Sequence, residues 1–230
     1  MLRNTRNDTT RSGFTLVEMM IVLAVIGILA AFGSPMLGNF FADLRLKAAA
    51  RDTADAFRLA RVEAIRTGTP HLVIFSAGPS GGPAGTDPAG TPLPDDPSTG
   101  GPVPIVIVRD DNGNCLIEPT DPQQLILAKQ GVAWGDSIAA GTVAPGDGGS
   151  LDHSTGSSFE TPAGAAANWV RFGPDGVPVG FDAACTPGGV GTGVGAIYLT
   201  NGRRDYAVVL SALGSVRVHN WNGMNSAWSN

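Results

Sequence analysis

Positive charge is scarce in this chain, and cysteine and histidine are scarcer still. There are 15 Lys and Arg against 20 Asp and Glu, giving a formal net charge of -5. That balance excludes a general electrostatic pull towards nucleic acid. The two cysteines, Cys115 and Cys185, leave no metal-binding cysteine spacing. They fit one bridge made in an oxidising compartment, or two ordinary free thiols. A bridge would close a loop of about 70 residues, worth roughly 4 kcal/mol on the chain-entropy model. The histidines His71, His153 and His219 are scattered, and Asp152-His153-Ser154 adjoin only in sequence, without the spatial geometry of a nucleophilic triad. Gly188 to Gly193 lacks the strand-then-helix setting of a phosphate-binding loop and reads as a flexible linker. Asp110-Asp111-Asn112-Gly113-Asn114 is oxygen-rich like a calcium loop, but lacks the full spacing of an EF-hand, so it reads as a polar hairpin turn. No enzyme, cofactor or metal is expected.

What the chain does have is one apolar run near its start. From Gly13 to Phe32, GFTLVEMMIVLAVIGILAAF, the only charge is Glu18. The run approaches the ~20 residues that a bilayer core requires. A carboxylate at a helix centre in hydrocarbon costs on the order of 2.5 to 3.5 kcal/mol, less near an end. Glu18 therefore needs a partner. Before the run stands MLRNTRNDTTRSG, polar and carrying Arg3, Arg6 and Arg11, which suits a cytoplasmic anchor. The alternative is a secretory signal, cut near Ala30, Ala31 and Gly33. That reading would discard the run, whereas the helical pattern continues past it.

Gly13, Phe14, Thr15, Leu16, Val17 and Glu18 resemble the class III signal of a type IV prepilin: a short basic leader ending in Gly, then Phe and a Thr-Leu-Val-Glu run. The resemblance implies cleavage between Gly13 and Phe14 by prepilin peptidase, then N-methylation of Phe14. It also implies assembly with other pilin or pseudopilin subunits, in which Glu18 meets the new amine of a neighbour. Pro35, expected to kink or locally melt the helix, adds to the likeness.

From Leu44 to Arg66 the positions Leu46, Ala50, Thr53, Phe57, Ala60 and Ala64 recur at spacings of three and four, a stripe that reads as core under a sheet. Thr67-Gly68 and Pro70 stop the helix. The 32 Gly and 17 Pro favour strands and loops beyond it. Strands are expected at 71–76, 105–108, 115–117, 125–128, 169–172 and 177–181. A three-stranded meander is expected at 196–199, 206–210 and 216–218. Residues 78–104, more than half Gly or Pro, and 141–168 read as mobile inserts.

The fold class is therefore α+β, a long N-terminal helix with a membrane-spanning first half, packed on a C-terminal antiparallel β domain. The expected divisions are a leader at 1–13, a transmembrane and assembly helix at 14–34, an amphipathic continuation at 35–68 and a periplasmic β domain at 69–230. The helix-to-strand junction and the meander resemble the GspH/FimT minor pilins. That likeness implies a single-pass protein of the bacterial inner membrane, serving a type II secretion pseudopilus or a type IV pilus. Arg203, Arg204 and Arg217 support an alternative, a FimT-like pilin capturing DNA, although Gly214-Ser215-Val216-Arg217 keeps only one arginine of the Gly-Arg-x-Arg element.

Overall fold

The computed structural model describes residues 13–77, 85–148 and 156–229, and residues 32–36 by their backbone only. The leader before Gly13 lies outside the described residues, as do Asp152, His153 and Ser154. The chain divides into two compact units, Met1–Phe41 and Ala42–Asn230. One helix, α1, runs unbroken from Leu16 to Thr67. Residues 33–35 are helical, so local melting is not seen there. The kink expected at Pro35 falls among the residues described by their backbone only.

In the first unit, every described side chain of α1 up to Phe41 is exposed. Among the described residues no helix is long and apolar enough to cross a membrane. The expectation of a membrane-spanning first half is corrected to that extent. Glu18 interrupts the apolar stretch near its start, and the described side chains stop at Ala31 before resuming at Leu37.

In the second unit, the stripe read from the sequence is buried. Leu46, Ala50, Phe57, Ala60 and Ala64 are at most 1% exposed, and Thr53 sits beside them at 3%. Two five-stranded antiparallel sheets share this helix face. The first uses β1 (His71–Phe75), β2 (Ile105–Arg109), β3 (Gln123–Ile126), β5 (Trp169–Phe172) and β6 (Pro178–Val179), in the order β3-β2-β1-β5-β6. The second orders β10 (Ala227–Ser229), β9 (Val216–Asn222), β8 (Asp205–Leu210), β7 (Gly195–Thr200) and β4 (Ala133–Trp134) from edge to edge. Phe57 is the meeting point, with ring centroids 5.8 Å from Phe75, 5.9 Å from Phe159 and 6.5 Å from Phe172. Ile197, Leu199, Val208 and Leu210 bring the second sheet to the same core.

Alternation along the strands explains their unbroken apolar character. Val73 and Phe75 face the helix, whereas Leu72 and Ile74 enter a second cluster with Val106, Val108, Leu93, Val103 and Phe181. A strand covered on both faces loses the polar half of its period-two pattern. The cover of that far face is drawn from the segment 78–104. Over its described residues 85–104 it forms bridges at Thr86–Pro92 and Asp95–Pro102 and buries Leu93 and Val103. Buried acids anchor it: Asp87 accepts the N–H groups of Thr91 (2.7 Å) and Ile117 (3.2 Å), and Asp96 those of Ser98 (2.7 Å) and Ala128 (2.6 Å). The far face of the second sheet, with Tyr198, Ala207 and Val209, is covered by Ala144 and Trp228. Asp205 holds the residues before Ala144 through the N–H groups of Ser137, Ile138 and Ala139 at 3.1, 2.6 and 2.7 Å.

Two sequence expectations change. The meander gains an edge strand on each side, β10 and β4. Residues 115–117 are not a strand, because Cys115 takes φ 59° in a bend. At the β5–β6 turn the glycine is required: Gly176 has φ +73°, and a Cβ there would stand 2.6 Å from Ile65 Cδ1.

Candidate processing and assembly site

The segment Gly13 to Glu18 is built around a helix start. Thr15 Oγ1 accepts the N–H of Glu18 at 3.2 Å, and the Thr15 carbonyl accepts that of Met19 at 3.1 Å. Thr15 is thus the N-cap of α1, and Thr-Leu-Val-Glu has the spacing of a capping box. In the sequence the same Thr15-Leu16-Val17-Glu18 run carries both the cap spacing and the processing motif. Glu18 lies in the first helical turn, where the positive end of the helix dipole favours a carboxylate. Around it the apolar side chains point to every side, with Phe14 76%, Leu16 77%, Met20 63%, Leu23 65% and Leu29 66% exposed. A helix apolar all round suits surroundings of lipid or other helices, since no single face of one domain could cover it.

The other residues singled out in the sequence fall elsewhere. Cys115 and Cys185 are joined by a disulfide, with Cα atoms 5.4 Å apart and a sequence separation of 70. The arginines do not form one cluster. Arg203 and Arg204 sit on the β7–β8 turn, and Arg204 pairs with Asp43 at 2.9 Å. Arg217 lies opposite Val209 in the β8–β9 ladder, five residues along the strand from Arg204, or roughly 16 Å at 3.3 Å per residue. The Val209 side chain belongs to the far-face cluster of the sheet, so Arg217 looks away from the helix. A further set of cations was missed in the sequence: Lys47, Arg51 and Arg58 of α1 line a groove with Tyr206, Val218 and Asn220. Its signal was the helical spacing of the charges between the core positions. Arg58 is partly spoken for, pairing with Asp55 at 2.8 Å.

Residues 9–34 match the family model described as the prokaryotic N-terminal methylation motif. No curated protein and no solved structure matches the chain. The matched segment holds the Gly13-Phe14 junction, the Thr15 cap and Glu18, and it marks a type IV pilin-like leader. A leader of this kind implies dealings with prepilin peptidase and with other pilin subunits.

Proposed function

We propose that this chain is a minor pilin or pseudopilin of the GspH/FimT kind, a structural subunit and not an enzyme. On this reading it is cut between Gly13 and Phe14 and N-methylated at Phe14. Residues 14–34 hold it in the bacterial inner membrane, and its 69–230 domain stands in the periplasm. It is then built into a type II secretion pseudopilus or a type IV pilus. The observation that carries the reading is the surface of the first half of α1, apolar on all sides, with a single acid in its first turn.

The chemistry of that acid follows from the cleavage. Removing the leader leaves a charged amine at the positive end of a helix dipole, where it is disfavoured and where a carboxylate is favoured. In a bundle of staggered helices, Glu18 of one subunit meets the amine of its neighbour. A buried pair of this sort adds little net stability over an apolar contact, but removing one partner strands the other at roughly 3 to 5 kcal/mol, which fixes register. The tail arginines, split between a turn and a sheet face, do not advance the DNA-binding reading.

The test is mass spectrometry of the chain recovered from membranes. A mature N-terminus of N-methylated Phe14 is expected, and Glu18→Ala is expected to stay in the membrane fraction while losing co-purification with other filament subunits. A mature chain starting well downstream of Phe14 and free of the membrane overturns the reading.

A further inference from the structure

We propose that the loop Asp110–Asp121 is a divalent-cation site of the calcium type, closed from its twelfth position by Asp121. The inference is independent of the processing and assembly reading. Counted from Asp110, the positions that an EF-hand loop uses for oxygen ligands are one, three, five, seven, nine and twelve. Here they hold Asp110, Asn112, Asn114, the Leu116 carbonyl, Glu118 and Asp121. The loop lacks the terminal glutamate of an EF-hand, and the aspartate Asp121 stands in its place.

The loop is already wound as such a site requires. Asp110 accepts the N–H groups of Asn114 at 3.0 Å and Cys115 at 3.3 Å. Asn112 Oδ1 accepts that of Asn114 at 3.1 Å, and Asn114 Oδ1 that of Leu116 at 2.9 Å. At the sixth position, where an EF-hand places glycine for a sharp turn, Cys115 takes φ 59° and is tied to Cys185. The Nδ2 groups of Asn112 and Asn114 donate to Glu118 at 2.7 and 3.0 Å.

Winding alone does not ask for an ion, but Asp121 does. Asp87, Asp96, Asp110 and Asp205 are buried and each accepts backbone N–H groups. Asp121 is also buried, at 9% exposure against 2% or less for those four, and its Oδ2 has no hydrogen-bond partner. The β2–β3 ladder says where it points. Val108 faces Gln123, and the next step is made by Arg109 N–H donating to the Pro122 carbonyl at 3.0 Å. One step further sets Asp121 opposite Asp110 on the same face, with Cβ atoms about 4.5 to 5.5 Å apart. Two hidden carboxylates opposed in this way repel each other without a positive charge between them. The nearest guanidinium is engaged outside, since Arg109 forks onto Asp111 at 2.7 and 2.6 Å.

A cation relieves all of this at once, and the mixture of carboxylate, amide and carbonyl oxygens suits calcium better than the small octahedral shell of magnesium. The three carboxylates do not yet converge within 4.8 Å of one another; the group that does is Asp110 with the two sulfurs already spent in the disulfide. Binding therefore draws Glu118 inward from its asparagine partners. That rearrangement places the affinity among weak extracellular sites, with Kd on the order of 0.1 to 1 mM.

The experiment follows thermal unfolding of the full-length chain in detergent against calcium chloride, with magnesium chloride as comparator. Calcium is expected to raise the Tm with half-saturation at about 0.1 to 1 mM, and magnesium to raise it much less. Asp121→Asn and Glu118→Gln are each expected to weaken the response by on the order of tenfold or more, whereas Asp55→Asn, on the exposed side of α1, leaves it unchanged. No shift up to ~10 mM calcium, or equal shifts with both metals, overturns the site. If Asp121→Asn fails to fold, Glu118→Gln decides, and an undiminished calcium response in that variant also overturns it.

Discussion

Helix α1 presents two surfaces on one secondary structure. From Leu16 to Phe41 its described side chains are all exposed, while from Leu46 to Ala64 one face disappears beneath two sheets. Both halves are rich in Ala and Leu, which favour a helix, although the first also carries Gly27, Gly33, Pro35 and Gly38. They differ in pattern. The second half sets small and large apolar residues three and four apart, with charges between, so a single face can be satisfied by the chain itself. The first half is apolar all round and no one face is distinguished. Such a surface has to be covered by something other than one small domain, and this difference is the physical ground of the assembly proposed for the N-terminal end.

The comparison is broken most forcefully at Phe57. Replacing this ring, which touches three other phenylalanines at the centre of the core, with alanine should cost about 3 to 5 kcal/mol of domain stability. Ile26→Ala in the first half, 55% exposed, should change that stability by less than ~0.5 kcal/mol. Denaturant unfolding of the two variants measures the contrast. Equal losses would mean that the halves are not distinct in what they pack against.

How much of this was legible beforehand follows the same division. The helical stripe, the six-residue start motif and the meander were readable because each depends on residues close in sequence or on a short period. The role of residues 85–104 was not. Its Gly and Pro content suggested a segment unable to bury enough apolar surface, yet Leu93, Val103 and two anchoring aspartates fold it over the far face of β1. Those contacts join residues far apart in the chain, which composition does not report. Asp121 was hidden for the same reason, since its meaning depends on facing Asp110 across a ladder.

A smaller effect sharpens the view of the helix start. Thr15→Ala removes the acceptor of the Glu18 N–H and should destabilise the first turn by about 1 kcal/mol. Amide exchange at Glu18 and Met19 in the full chain should speed up by roughly fivefold, on that free-energy scale, with no change at Phe57. A change spread over the whole helix would show instead that the two halves rise and fall together.

The gentlest probe is pH, because His71 and His219 lie in the second unit and residues 13–41 contain no histidine. His71 is 5% exposed and His219 3%. Burial holds both imidazoles below their ordinary value, and Arg217 pushes His219 further the same way, while the Thr69 carbonyl and Glu63 partly oppose the shift at His71. In the unfolded chain each titrates near ~6.5. Below that pH the unfolded state binds protons that the folded state refuses, so stability falls as pH falls; above it neither state is charged and the full stability is present. The Tm should therefore be level from about pH 8 to 7 and decline from about 6.5 towards 5. His219→Gln should flatten part of that decline. Asp96, Asp111 and Asp182 are held below their ordinary value by hydrogen bonds, chiefly from Ser98, Arg109 and Thr186. Their contribution is lost only at more acid pH, below roughly 3.9; Asp121, held above its ordinary value first by burial, works the other way and gains stability as pH falls, so the decline near 6 belongs to the histidines. A Tm that holds or rises there would show that the two imidazoles accept protons in place, and that the packed unit is more open around them than their burial indicates.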